Sequence, residues 1–341
     1  MTMRKTVVFL GQMYPFGTIP HLAFLGIELW RQFENSGIKC YFAAFDDGTR
    51  EGIWAPVRQA IPPESILTGG KFADVLDNIA KVCLESDLTV LHCGGGYHQI
   101  RSFIPLKKRF GTKLKIVVTT HSYRHDSWLR PYMSLFQGLL YRIYVDHVIF
   151  QCPYTARRFV GGRWFFKRGM ASIIPLGVEE YPTFRSSNEA VPEGLESFAD
   201  ELNRKDLFKF IYLAQLRKGK QHLWLLKSLS TLLKMFPKTR IFFVGGDADN
   251  QRQALLDVIK NNNLEKQIIM TGQIPRCDVP WVLSRCDCAL VPSRAETFGH
   301  NYVEPMAAGI PVIGTRVGVA EYAISDYGTG IGFEVGNKEE L

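Results

Sequence analysis

Short apolar runs alternate with longer amphipathic segments along this chain. The short runs are typical of buried strands, and apolar residues that recur every three or four positions predict helices. In the N-terminal part the predicted strands are Thr6–Leu10, Lys39–Ala44, Leu88–His92, Ile116–Thr120 and His147–Gln151. The predicted helices there are Ile19–Ser36, Phe72–Glu85, Gln99–Phe110 and Pro131–Tyr144. Strands that alternate with helices predict a parallel sheet that is covered on both faces.

A polar segment rich in Ser, Glu and Pro, Pro182–Asp206, separates this alternation from a second one. The second set of predicted strands is Phe208–Leu213, Arg240–Val244, Ile268–Thr271, Cys288–Val291 and Pro311–Gly314. Its predicted helices are His222–Met235, Gln251–Asn261 and Val279–Ser284. We therefore expect an N-terminal domain over 1–185, a linker over 186–206 and a C-terminal domain over 207–341. Both domains are predicted to be doubly wound α/β sheets that bind ligands at the carboxyl ends of their strands.

The composition fits two domains of this kind. The chain has 341 residues, of which 46% are hydrophobic, so each domain can form its own core. No apolar run approaches the roughly 20 residues that span a bilayer. The seven cysteines show no paired C-x-x-C spacing, which favours a reducing compartment such as the cytoplasm.

The charge is concentrated in the first domain. Residues 101–168 contain 14 Lys and Arg against 2 Asp and Glu, whereas residues 191–341 contain 18 of each sign. Aromatic residues such as Trp128, Tyr132 and Trp164 are interleaved with these cations, a pattern that suits an anionic membrane surface. A solvated basic face over core aromatics is the alternative. Nucleic acid is not an expected partner, because no nucleic-acid-binding motif is recognised.

The segment VPSRAETFGHNYVEPMAAGIPV carries the candidate chemistry. Glu296 and Glu304 lie eight residues apart, with a glycine-containing turn and a helix start between them. Backbone amides at a helix N-terminus bind phosphate, and carboxylates accept hydrogen bonds from sugar hydroxyls. The combination predicts a nucleotide-sugar pocket.

In this segment the chain resembles the retaining glycosyltransferases of the GT-B fold, specifically family 4. That family has P-S-x-x-E-x-F-G, a second Glu eight residues after the first, and A-x-G-x-P-V. The matching residues are Pro292, Ser293, Glu296, Phe298, Gly299, Glu304, Ala307, Gly309, Pro311 and Val312. Weaker matches follow the family order: Tyr14–Thr18, His121, Ile174–Val178, Ala214–Lys220, Val244–Gly246 and Thr271–Ile274. The resemblance implies an α/β GT-B fold of two Rossmann-like domains that face a central cleft.

The resemblance also implies roles for single residues on the donor side. Glu296 would bind donor-sugar hydroxyls near the reacting carbon, or else simply cap a helix. Glu304 would bind the ribose hydroxyls, or else be a surface helix charge. Lys220 would neutralise the leaving phosphate, with Arg217 as a second cation or a solvated loop charge. Four consecutive residues would offer backbone amides to the diphosphate or the sugar: Thr297, Phe298, Gly299 and His300.

Further candidates lie on loops. Gly17 would let the first domain approach the diphosphate, and Ile274 belongs to the loop beside the base. His121 would hydrogen-bond the donor sugar near the reaction centre. The glycine-rich segment that contains Gly95 and Tyr97 follows a strand, so it is a candidate for the acceptor side or an ordinary tight turn.

Arg124 is a candidate contact to an anionic acceptor. We recognise no Asp-x-Asp signature at a suitable loop, so we expect neither a metal nor another cofactor.

Three features depart from the family pattern. Gln215 occupies the place of the usual phosphate-binding Arg, and Ser122 that of the usual Asp. The family also ends in helices that cross back to the first domain, and we expect these to be missing after Leu341.

The sequence thus predicts a metal-independent retaining glycosyltransferase on the cytoplasmic face of a membrane. It would use a nucleoside-diphosphate sugar to extend a glycan or lipid-linked acceptor in cell-surface polysaccharide or lipopolysaccharide synthesis. Two alternatives remain: an epimerase or phosphorylase of the same fold, and a non-catalytic module that binds nucleotide or carbohydrate.

Overall fold

The computed structural model describes residues 3–11, 20–46, 48, 51–94, 97–120, 138–159, 169–178 and 190–341. The chain divides into two compact units, Met1–Pro175 and Leu176–Leu341. Among the described residues, no helix has the length and hydrophobicity required to cross a bilayer.

Unit 1 is a seven-stranded parallel sheet in the order β3-β2-β1-β4-β5-β6-β7. Its strands are β1 (Lys5–Leu10), β2 (Lys39–Ala43), β3 (Ile66–Leu67), β4 (Leu88–Gly94), β5 (Leu114–Thr119), β6 (His147–Phe150) and β7 (Ala171–Ile173). Its helices are α1 (Pro20–Asn35), α2 (Glu51–Ala60), α3 (Phe72–Glu85), α4 (Tyr97–Phe110), α5 (described over 138–144) and α6 (Pro153–Arg158). Buried side chains form a core on each face of the sheet.

Unit 2 is a six-stranded parallel sheet in the order β10-β9-β8-β11-β12-β13. Its strands are β8 (Phe208–Leu213), β9 (Thr239–Val244), β10 (Ile268–Gly272), β11 (Cys288–Val291), β12 (Val312–Thr315) and β13 (Gly330–Phe333). Its helices are α7 (Glu196–Asn203), α8 (His222–Met235), α9 (Arg252–Asn261), α10 (Val279–Leu283), α11 (His300–Ala307) and α12 (Ala320–Tyr327).

The domain boundary differs from the one expected from sequence. The two units divide after Pro175, not near residue 185, and the segment expected to be a linker contains α7. Ala199 and Leu202 of α7 are buried, and Glu201 pairs with Arg240 of β9 at 2.7 Å. This helix therefore belongs to the packed body of unit 2, although its polar composition resembles that of a linker.

Candidate functional site

The candidate site lies at the carboxyl edge of the sheet in unit 2. From β8 the chain turns to α8 and β9 on one side, and from β11 it turns to α11 and β12 on the other. Two neighbouring strands whose connections diverge leave a crevice between their loops, and ligands of doubly wound sheets bind there. The loop after β8 contains Lys220, and the loop after β11 contains Glu296.

Lys220 and Glu296 meet across this crevice. Lys220 is the last residue of a one-turn 3-10 helix, and its Nζ donates to Glu296 Oε1 at 2.5 Å. The side chains are only 25% and 11% exposed, so the ion pair is largely shielded from water. The two loops are also joined through the backbone, because the Arg294 amide donates to the Gly219 carbonyl at 2.9 Å.

Glu296 is not the N-cap residue of the following helix, which was the alternative for it. The N-cap of α11 is Gly299, three residues further along the chain. Instead, Oε1 of Glu296 accepts a second hydrogen bond from Asn301 Nδ2 at 3.1 Å. A carboxylate held by two donors in a half-closed crevice is arranged to accept hydrogen bonds rather than to stabilise a helix end.

The backbone between Glu296 and α11 makes a tight turn. Gly299 has a φ of 105°, in the region that favours glycine, and the ring of Phe298 is buried. Gly318 packs closely against this turn and has a φ of 61°. A Cβ added there would clash with the Phe298 carbonyl oxygen and lie 2.9 Å from Glu296 Cβ. Gly318 has no distinguishing signal in the sequence, because only the fold brings it against the turn.

This turn leads directly into the N-terminus of α11. Thr297 lies two residues before the N-cap, and His300 is the first residue of the helix. The first four amides of a helix have no intrahelical acceptor, so this end of α11 suits an anion.

Glu304 lies further along α11 with its side chain 13% exposed, so it is not a solvated surface charge. Its Oε1 is 4.0 Å from Nη2 of Arg276. Arg276 belongs to the loop after β10, two residues beyond the half-buried Ile274. The structure therefore brings Glu304 together with the loop expected beside the base. Arg276 was missed by the sequence analysis, although it lies only two residues after the matched segment Thr271–Ile274.

The loop between β8 and α8 is held by the loop after β9. Gly245, at the end of β9, packs so closely on the Ala214 backbone that a Cβ would clash there. Asp249 accepts the Lys218 amide at 3.0 Å. Gln215 and Arg217 on this loop are both exposed.

Comparison with known proteins shows which protein family unit 2 resembles. Residues 195–341 match the sequence model of the family described as glycosyl transferases group 1. Unit 2 thus resembles the group 1 glycosyltransferases over most of its length.

Relatives extend the glycosyltransferase likeness beyond unit 2. The chain is 30% identical over 173 residues to the alpha-monoglucosyldiacylglycerol synthase of Acholeplasma laidlawii, over 50% of this chain and 42% of the relative. It is 26% identical to the GDP-mannose-dependent phosphatidylinositol monomannoside mannosyltransferase of Mycolicibacterium smegmatis, over 66% of this chain and 58% of the relative. The alignments thus span less than two thirds of these curated relatives.

A solved structure shares the fold of this chain. HepE of Anabaena, crystallised in complex with UDP, has a TM-score of 0.72 and 18% identity, over 99% of this chain and 87% of the other. With the two parallel sheets described above, this likeness confirms the GT-B fold.

In unit 1 the connections also diverge between neighbouring strands. β1 and β4 are paired, and the chain leaves them towards β2 and β5 respectively. The predicted site residues Gly17, Gly95, His121 and Arg124 lie outside the described residues. Tyr97 is the first residue of α4, and its side chain also lies outside the described part.

Proposed function

We propose that the protein is a retaining glycosyltransferase that transfers a sugar from a nucleoside-diphosphate sugar to a lipid-linked or glycan acceptor. The Lys220–Glu296 pair at the divergence of β8 and β11 carries this proposal. In the reaction the bond from the anomeric carbon to the diphosphate oxygen breaks and a bond to the acceptor oxygen forms. The acceptor hydroxyl gives its proton to the departing diphosphate.

The two members of the pair match the two charges that develop in this reaction. The leaving diphosphate gains negative charge, which the Lys220 ammonium stabilises, and the sugar becomes an oxocarbenium-like cation. The Glu296 carboxylate binds the sugar hydroxyls and stabilises that cation. A cation and a carboxylate that meet across one crevice can therefore hold the two fragments as they separate.

The rest of the donor fits along α11. The N-terminus of α11 is suited to the diphosphate, with Thr297, Phe298, Gly299 and His300 supplying amides. Glu304 would accept the ribose hydroxyls one turn further along the helix. Ile274 and Arg276 would then lie beside the base, and Arg217 would supply a second cation to the diphosphate.

The positive charge of Lys220 and the partial positive charge at the N-terminus of α11 can stabilise the diphosphate, which supports a reaction without a metal. The spacing Asp-x-Asp does occur at Asp247 and Asp249, next to the β8 loop. Their carboxylates, however, accept backbone amides: Asp247 those of Gln251 and Arg252, and Asp249 that of Lys218. These hydrogen bonds stabilise the loops and favour a structural role for both carboxylates.

The acceptor side is proposed to meet an anionic membrane through unit 1. Lys107 and Lys115 there pair with Asp146 at 2.6 and 3.0 Å. Burial alone would raise the pKa of Asp146, but hydrogen bonds from the two lysines and from the Ile116 amide lower it overall. Asp146 therefore stays charged and offsets part of the local positive charge.

Other cations of this region remain exposed on α4, on the turn after it and on α5, and two apolar side chains of α5 are also exposed. We call these residues the α4–α5 surface: Lys108, Arg109, Lys113, Leu139, Arg142 and Ile143. Cations attract anionic headgroups, and exposed Leu and Ile side chains can enter the interface between headgroups and acyl chains.

The names of the two relatives support a lipid-linked acceptor, because both describe enzymes that act on glycolipids. A cytoplasmic-facing enzyme of cell-surface glycan synthesis, for example of lipopolysaccharide, fits a nucleotide-sugar donor and a peripheral membrane position.

The deciding experiment measures nucleoside diphosphate released from UDP-, GDP-, ADP- and dTDP-sugars, with a chelator and a membrane lipid extract present. Wild type is compared with Glu296→Gln and with Glu265→Gln, an exposed control in the same unit. Release from one donor that is lost only in Glu296→Gln, with product of unchanged anomeric configuration, is the expected result.

Other outcomes contradict the proposal in distinct ways. A donor converted to an isomer without acceptor would indicate an epimerase. Nucleotide binding without turnover under every condition would indicate a binding module. Activity that a chelator abolishes and Mg²⁺ restores would contradict the metal-independent reaction alone.

A further inference from the structure

A chain of hydrogen bonds joins the Glu296 carboxylate to the main chain of Lys220, beneath their ion pair. Asn301 Nδ2 donates to Glu296 Oε1 at 3.1 Å and to Ser293 Oγ at 3.3 Å. Ser293 Oγ lies 3.1 Å from the Tyr212 hydroxyl, which donates to the Lys220 carbonyl at 2.6 Å. With the Lys220–Glu296 bond, these contacts close a ring through both charged residues.

The direction of each hydrogen bond in this chain follows from its chemistry. A carbonyl can only accept, so the single hydroxyl proton of Tyr212 points to Lys220. Ser293 must then donate to Tyr212, and it accepts from Asn301. Tyr212 and Ser293 are fully buried and Asn301 is 6% exposed, so water does not compete for these groups. Asn301 thus contacts Glu296 at one end of a chain in which the direction of every hydrogen bond is fixed.

Asn301 is a costly residue at this buried position. Its Oδ1 is buried and accepts no hydrogen bond from the residues that the structure describes. An unsatisfied buried acceptor destabilises a fold, and leucine, which has nearly the same shape, would avoid that cost. The benefit of an asparagine must therefore come from its Nδ2, which is the atom that holds Glu296.

We propose that Asn301 is a positioning residue for sugar transfer, which fixes the Glu296 carboxylate and, through Ser293 and Tyr212, the main chain of Lys220. The inference rests on the proposed function. When the flexible Lys220 ammonium engages the donor diphosphate, Glu296 loses one of its two Oε1 donors. The hydrogen bond from Asn301 then keeps the carboxylate oriented to the sugar, where a small displacement is sufficient to slow the reaction.

The first test replaces Asn301 by its apolar isostere and separates kcat from binding and stability. Asn301→Leu is expected to lower kcat roughly ten- to a hundred-fold, the effect of one hydrogen bond to a charged group. The Kd for the nucleoside diphosphate should not rise, and the urea midpoint of unfolding should not fall. Asn262→Leu is the control, because Asn262 donates to Val258 in α9, away from the site.

Two results of this first test would overturn the inference. One is an unchanged kcat in Asn301→Leu. The other is a loss of kcat that merely follows equal losses of nucleotide affinity and stability, which would indicate an ordinary structural residue.

The second test uses the pH profile of Asn301→Asp. An ionised carboxylate cannot donate to Glu296 and repels it, whereas a protonated carboxyl can donate as Asn301 does. The kcat of this variant, relative to wild type, should therefore rise as pH falls from 8 to 6. A constant ratio across that range contradicts the positioning role.

A third measurement needs no activity. In a double-mutant cycle of Asn301→Leu and Glu296→Ala, the changes in the free energy of unfolding should be non-additive, since the two residues are in direct contact. Additive effects would overturn the inference. If wild type releases no nucleoside diphosphate from any donor, the proposed function fails, and the cycle still decides whether Asn301 restrains Glu296.

Discussion

Lys220 Nζ donates to Glu296 Oε1 at 2.5 Å, although the two residues are 76 positions apart in the sequence. Each belongs to a loop that begins at the carboxyl end of one of two neighbouring strands, β8 and β11. The pairing places the cation proposed to stabilise the leaving diphosphate and the carboxylate proposed to bind the sugar within one crevice.

Lys220→Met should lower kcat by about 10²–10³-fold, because one charged donor to the developing negative charge is lost. The measurement is single-turnover release of nucleoside diphosphate with saturating donor. Lys234→Met, at the exposed end of α8, is the control. A variant that binds nucleotide more weakly but keeps its kcat would show that Lys220 serves binding alone.

Glu304→Gln should weaken binding of a nucleoside diphosphate about ten-fold, since a hydrogen bond to a charged group contributes about 1.5–3 kcal/mol. If the partner is the ribose, the 2′,3′-dideoxy analogue should bind wild type and variant equally well. Calorimetric titration of both ligands checks this. An equal loss of affinity for both ligands would place Glu304 elsewhere in the pocket.

Gly318→Ala should reduce transfer strongly, whereas Gly328→Ala should not. The two glycines have φ values of 61° and 62°, so alanine meets the same backbone strain at both. Only at Gly318 would the new Cβ clash with the turn that contains Glu296 and Phe298, since nothing lies within 4 Å at Gly328. Equal kcat in the two variants would refute a steric link between Gly318 and the site.

The protein should lose stability in mild acid because two histidines, the half-buried His92 and the buried His222, are held in the neutral form. Burial lowers the pKa of His92 to about 4, and burial together with the Lys220 charge lowers that of His222 to about 3, from 6.5. Both folded-state pKa values lie below the unfolded one. Their stabilisation is therefore complete above pH 6.5 and is lost progressively as pH falls towards the folded-state pKa values.

At pH 5 the free energy of unfolding should be lower than at pH 8 by about 2 kcal/mol for each histidine. His222→Phe retains an aromatic ring where His222 stacks on Tyr212 at 4.4 Å between ring centroids. This variant should show a correspondingly weaker pH dependence in urea unfolding. An unchanged pH dependence would contradict a neutral, buried His222.

Replacing both apolar residues of the α4–α5 surface, Leu139→Ser with Ile143→Ser, should weaken binding to phosphatidylglycerol vesicles. Arg142→Gln should weaken it further and reduce its dependence on salt, because one cation fewer meets the headgroups. Vesicle co-sedimentation measures both effects. A matched pair on unit 2, Leu232→Ser with Leu256→Ser, should have no effect, and equal losses in the two pairs would argue against a specific membrane surface.

Much of the fold was predictable because its signals are local. The strands Phe208–Leu213 and Cys288–Val291 were predicted at their observed bounds, since short apolar runs between polar turns have few other ways to be buried. Helix α2 was not predicted, nor were the short strands β3 and β7. The two short strands lie at the edges of the sheet, where two or three residues give no recognisable period.

The sequence by itself determined the element types, the two-unit α/β organisation and the carboxylates Glu296 and Glu304, because these depend on periodicity and spacing along the chain. The tertiary structure alone decided which loops meet. It paired Lys220 with Glu296, added Arg276 and Gly318 to the site, and joined Asn301 to Tyr212. Such contacts depend on strand order, and strand order is set by the packing of the whole sheet, which no local pattern encodes.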